Sequence, residues 1–164
     1  MKNTFEISRS LVLRDSAMVA IFVGAVCGLS AMSHLIALPV KALNPMLIAL
    51  VAGLALLRDR RFGYILAVAL PFVSCLLTGM PTPLTALCMA AEFATVVALV
   101  SLLENRMSHL SAIVSAIAGG KVVYYLIKAV VISPVALFGT SFVWQLLSVA
   151  IAAGLYYLIS AKRQ

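Results

Sequence analysis

The sequence predicts an all-α integral membrane protein, a compact bundle of six transmembrane helices with both termini in the cytoplasm. Two observations predict it. Of the 164 residues 64% are hydrophobic and only 10% charged, whereas soluble domains run near ~25% charged and ~45–50% apolar. The apolar residues also fall into runs of the length that an ~30 Å hydrocarbon core demands, ~17–25 residues per helix. The connections between runs are short, so the expected organisation is one transmembrane domain over 1–164.

The first fifteen residues, MKNTFEISRSLVLRD, are too polar for the core of a signal peptide. Phe5, Ile7 and Leu11 give either a short interfacial helix leading into the membrane or a frayed tail. Residues 1–15 are therefore set apart as a cytoplasmic or interfacial segment. Helices are expected at about 16–38, 43–57, 62–79, 83–103, 109–133 and 141–161. The second is short and opens on Asn44-Pro45, which suits proline in a first turn. Pro39, Pro81, Pro83 and Pro134 fall in or beside connections, as helix punctuation should. Pro71 lies inside the third run and predicts a kink.

Orientation follows from the basic residues. Lys2, Arg9 and Arg14, then Arg58, Arg60 and Arg61, then Arg106, and finally Lys162 and Arg163 flank one set of helix ends; Lys41 is alone at the other. The positive-inside rule assigns the crowded set to the cytoplasm. The net charge of +7 is thus a topology signal. It forms no basic face with interleaved aromatics, so no nucleic acid is expected. Cys27, Cys75 and Cys88 show no metal or redox spacing and read as small apolar residues. No metal site, no cofactor in this chain and no catalytic residues are expected, since GxSG-, HExxH- and Walker-type patterns are all lacking.

Only Glu92, Lys121 and Lys128 put charge at membrane depth, where charges are costly and face the protein interior or a wet cavity. At ~1.5 Å per residue, Glu92 and Lys121 reach similar depth near mid-membrane. Lys121, Tyr124 and Lys128 recur at i, i+3, i+7 on one face of the fifth helix. Thr85, Cys88, Glu92 and Thr95 make a narrow polar stripe on the fourth. Asn44, Ser74, Thr78, Trp144, Gln145 and His34 fall toward the same outer ends. The set describes a cup open to the outside, with Glu92, Lys121, Tyr124, Lys128, Asn44, Thr78, Trp144, Gln145 and His34 as candidate substrate-binding residues. Structural readings stand beside the functional ones. Glu92 and Lys121 are a ligand site or a register-fixing pair; Lys128 binds or snorkels; Trp144 stacks or belongs to an interfacial belt; His34 and Asn44 bind or cap helix ends. Two lysines against one glutamate favour a neutral, anionic or charge-separated ligand.

The first helix carries Ala17, Ala20, Gly24 and Gly28, the last three at four-residue spacing. Small residues so placed let a second helix approach closely, whether a partner docking there or a neighbouring span of the same chain.

With these residues in view, and with LNPMLIALVAGLALLRDRRFG across the second and third runs and PTPLTALCMAAEFATVVALV across the fourth, the chain resembles the substrate-binding S components of energy-coupling factor (ECF) transporters, of the vitamin or vitamin-precursor type. The resemblance spans the whole length. It implies a membrane subunit that captures a vitamin-like molecule near the external face, beneath AMSHLIALPVKALNP and TGMPTP. It further implies that the small-residue motif of the first helix, here with glycine at Gly24, packs against a transmembrane coupling subunit driven by two cytoplasmic ATPases. ATP would be used by those partners, and the chain itself would not be an enzyme. Two other classes stay open: a non-transporting scaffold resembling the rod-shape protein MreD, and an autonomous proton-coupled carrier using Glu92.

Overall fold

The structure, a computed structural model, describes residues 2–35, 44–131 and 142–161. Those residues form six helices and no strands: α1 (Lys2–Leu35), α2 (Pro45–Leu56), α3 (Arg60–Thr78), α4 (Pro83–Leu103), α5 (His109–Val131) and α6 (Phe142–Ala161). The connections 36–43 and 132–141, with Lys41, lie outside the described residues.

Among the described residues four segments are long and apolar enough to cross a membrane: Arg9–Ser30 of α1, and α3, α4 and α5. Their outer surfaces carry bare apolar side chains, such as Leu76 at 82% exposure and Val130 at 86%. Soluble proteins rarely expose so many large apolar side chains, whereas lipid tails would cover them at no cost. The long apolar helices are consistent with a membrane-embedded protein.

α1 departs from expectation at its start. It is one continuous helix of 34 residues, without the boundary expected near residue 16. The physical reason is that nothing between Lys2 and Val23 breaks a helix: no proline or glycine occurs there, and loss of apolarity alone does not end helical hydrogen bonding. α3 likewise continues through Pro71. α4 occupies 83–103 as expected, started by Pro83 in its first turn.

α2 has the opposite character to the four long helices. Its 12 residues extend only ~18 Å, well short of an ~30 Å core. Nine of them, Met46–Leu47 and Ala49–Ala55, are buried. It is apolar on all sides and serves as the centre of the bundle, packed on α6, α3 and α1. Around it, α1 packs on α3, α3 on α4, α4 on α5 and α5 on α6. At Gly53 α3 lies close on α2, and a Cβ there would require the end of the Leu66 side chain to shift.

The basic end of the bundle is clamped by two carboxylates. Asp15, 1% exposed, accepts the backbone N–H groups of Arg58 and Asp59 at 3.0 and 3.1 Å. It also pairs with the Arg14 guanidinium at 2.9 Å, and Arg14 donates in turn to the Leu56 carbonyl at 3.2 Å. α1 is thereby pinned to the turn between α2 and α3. Glu104, just past α4, takes both the Arg60 guanidinium and the Tyr156 hydroxyl, joining α3, α4 and α6. Asp15→Ala would leave two backbone donors and a guanidinium without their acceptor. It is expected to cost about 2–4 kcal/mol, seen as a lower thermal midpoint of the purified protein, with Asp15→Asn intermediate. An Asp15→Ala midpoint equal to wild type would show that the clamp contributes nothing.

Candidate functional site

The chemistry gathers on the seam between α4 and α5. α5 buries Ala112, Ile113, Ala116, Ile117 and Gly120, so small residues recur at 112, 116 and 120 along the contact line. At its upper end the backbones come close. A Cβ on Gly120 would stand 2.6 Å from Val96 Cγ2 and 3.0 Å from the Glu92 carbonyl oxygen; one on Gly119 would stand 2.5 Å from Leu99 Cδ1. Gly120 has no room for a side chain unless Val96 and the Glu92 backbone shift, and the next residue is Lys121.

That approach delivers Lys121 Nζ to within 2.8 Å of Glu92 Oε1. Glu92 is 1% exposed and Lys121 21% at the side chain. An isolated carboxylate at that burial is prohibitively costly, and a close ammonium is what makes it tolerable. The pair that sequence depth placed side by side is therefore in contact.

From this pair a polar file runs along α5. Lys121 Nζ lies 5.4 Å from the Tyr124 ring centroid and Lys128 Nζ 5.6 Å from the same centroid, both within cation–π range. Tyr125 meets Tyr124 edge to face at 5.3 Å, and its hydroxyl donates to Gln145 Oε1 on α6 at 2.8 Å. Glu92, Lys121, Tyr124, Lys128 and Gln145 are thus brought together, on three helices.

Asn44 and Thr78 serve their own helix ends. Asn44 Oδ1 accepts the Leu47 N–H at 3.1 Å and caps α2, while its backbone N–H donates to Ser148 Oγ at 3.1 Å. Thr78 Oγ1 lies 2.8 Å from the Ser74 carbonyl and 2.9 Å from that of Met80, and Ser74 Oγ donates to Met80 at 3.1 Å. These hydroxyls hold the turn between α3 and α4. Thr95 donates to the Ala91 carbonyl of its own helix at 2.8 Å. The side chains of His34 on α1 and Trp144 on α6 lie outside the described residues.

Two features escaped the reading of the sequence. Tyr125 is one, although it falls at i+4 from Lys121 on the same helical face as Tyr124 and Lys128. The other is Gly119-Gly120, where paired glycines inside an apolar helix signal a close crossing. Among the described residues no group of acidic, histidine and cysteine side chains could hold a metal ion.

The small-residue stripe of α1 resolves differently. Ala17, Ala20, Gly24 and Gly28 are all exposed, and a Cβ on Gly24 or Gly28 would meet nothing within 4 Å among the described residues. α1 turns Asp15, Val19 and Val26 inward instead. Among the described residues the stripe is an exposed face, and the close glycine crossing lies on the α5 seam.

The chain matches no family model, no curated protein and no solved structure. Its site is defined by its own geometry.

The two glycine classes make opposed predictions. Gly120→Ala forces the β-branched Val96 and the Glu92 backbone apart and is expected to cost about 1–3 kcal/mol by overpacking. Gly24→Ala and Gly28→Ala meet open space and should leave the thermal midpoint unchanged or slightly raised. Equal midpoints for Gly120→Ala and wild type would contradict the close crossing.

Proposed function

We propose that this chain is the substrate-binding membrane subunit, the S component, of an ECF-type importer. It would capture a vitamin or vitamin precursor at the outer face and deliver it with a transmembrane coupling subunit and two cytoplasmic ATPases. In this reading all six helices lie in the membrane of a prokaryotic cell, and the end clamped by Asp15 and Glu104 faces the cytoplasm, as its arginines favour. The substrate site is the file Glu92, Lys121, Tyr124, Lys128 and Gln145, with Tyr125 added. His34, Asn44, Thr78 and Trp144 stay candidate substrate contacts in this reading.

The observation that carries the reading is the division of labour between helices. The charged and aromatic groups converge on α4, α5 and α6, while α1 holds an unoccupied small-residue face on a helix packed against α2 and α3. A ligand site and a docking face on separate helices suit a protein that must hold cargo while a partner helix moves it. Close helix approach in lipid depends on such small-residue faces. A second reading, the non-transporting scaffold, draws on the same bare face and on the 2.8 Å contact that neutralises Glu92 and Lys121 against each other.

A thermal-shift screen of the purified protein against vitamins and their precursors separates the two. A ligand at 100 times its Kd adds ~2.7 kcal/mol of stability. The binding-subunit reading expects such a gain in wild type and its loss in Lys121→Ala and Glu92→Gln. It also expects Gly24→Leu to keep the ligand shift yet fail to co-purify with a coupling subunit. No shift with any compound, and variants that are merely less stable by about 3–5 kcal/mol from the broken pair, would favour the scaffold.

A further inference from the structure

The distribution of acidic residues leaves one cation of the site without a counterpart. The chain holds five carboxylate side chains, Glu6, Asp15, Asp59, Glu92 and Glu104. Asp15 and Glu104 are committed to the clamps at the basic end, where Asp59 also caps α3 through the Arg61 N–H at 2.9 Å. Glu6 lies in the first turns of α1, before the same end. Glu92 is taken by Lys121. Lys128 sits in the last turn of α5, at the opposite end of the bundle. Among the described residues no carboxylate pairs with it, and the connections 36–43 and 132–141 contain neither Asp nor Glu.

Lys128 is nonetheless held in place. It is half-buried, and its ammonium rests 5.6 Å from the Tyr124 ring centroid. The carbonyl end of α5 favours a cation at this position. Neither the ring nor the helix end carries a full negative charge, so both orient the ammonium without cancelling it. An oriented, uncancelled ammonium beside an aromatic face, at the rim of a low-dielectric bundle, attracts an anionic oxygen group far more strongly than one free in water.

We propose that Lys128, positioned by Tyr124, is the receiving point for a carboxylate or phosphate group of the bound molecule. This assignment rests on the binding-subunit reading and sharpens it. The self-neutralised Glu92–Lys121 pair would face the uncharged part of the ligand, and Lys128 its anionic end. The same anionic chemistry is also offered by a phospholipid headgroup, so the test must separate solute from lipid.

The full-length protein is placed in nanodiscs of phosphatidylcholine and titrated with benzoate, phenyl phosphate and the neutral benzyl alcohol, up to their solubility limits at constant ionic strength. Unfolding is followed by the emission of the lone tryptophan, Trp144. Wild type is compared with Lys128→Gln and with Lys128→Arg, which keeps the charge. The two anions are expected to raise the midpoint of wild type and Lys128→Arg by about 2–5 °C at ten times their Kd. Lys128→Gln should not respond, and benzyl alcohol should act on none of the three.

An equal response to the anions in all three proteins, or no Lys128-dependent response to any anion, overturns the assignment. A second set of discs replaces a third of the lipid with phosphatidylglycerol. If only that lipid stabilises wild type and Lys128→Arg over Lys128→Gln, the anion point stands with a headgroup as its occupant, and the substrate reading falls. Conversely, a screened vitamin that has no anionic group and binds Lys128→Gln as tightly as wild type would uphold the binding subunit and remove this assignment.

Discussion

A carboxylate buried to 1% exposure among apolar helices is the constraint on which the arrangement turns. Glu92 is stabilised there by an ammonium at contact distance, supplied by α5 from the residue after a close crossing. Gly120 has no room for a Cβ against Val96 and the Glu92 carbonyl, and the small residues Ala112 and Ala116 continue the same line. The register of α5 is then set, and it carries Tyr124, Tyr125 and Lys128 to their places. Gln145 follows through Tyr125, which draws α6 into the same group. One electrostatic requirement thus organises three helices.

The two ends of the molecule treat charge in contrary ways. At the arginine-rich end, each clamping acid has several partners: Asp15 receives two backbone donors and a guanidinium, and Glu104 a guanidinium and a phenol. Such an end is stiff, because moving any one helix would strand donors and acceptors at once. At the other end the hydroxyls of Ser74 and Thr78 serve a single turn, and Lys128 rests on an aromatic ring. Rigidity on one side and spare electrostatic capacity on the other are what a molecule needs if it is to respond to something arriving from one side only.

Much of this could be read from the sequence, for definite reasons. Charges inside apolar runs are so costly that Glu92 and Lys121 stood out, once their depths were counted, as a ligand site or a mutually neutralising pair, and the structure brings them into contact. Pro83 marked the start of α4 to the residue, since a proline in the first turn leaves little latitude. The beginning of α1 escaped notice because polar residues end an apolar run without ending a helix. The small-residue stripes show the sharper limit. Residues 17–28 and 112–120 both present small side chains at helical spacing, yet one set faces out and the other in. Lipid and protein interior are equally apolar, so periodicity alone does not tell which side a membrane helix turns to its neighbours. Tyr125 was within reach of the spacing argument, and only its bond to Gln145 shows why it matters.

The short central helix has a consequence for how the protein is made. α2 is bonded to α6 across 104 positions of sequence, through the Asn44 N–H and Ser148, and that helix forms one wall of its surroundings. A ribosome finishes α2 long before it reaches Ser148. In the interval a 12-residue segment must wait beside α1 and α3 with the flank that α6 covers still open. Its apolar surface limits the cost of that delay, although the Asn44 N–H goes without Ser148 until the last helix is synthesised. Assembly therefore ends with the arrival of α6, and a chain cut short before residue 142 would leave the core helix in place but unsheltered.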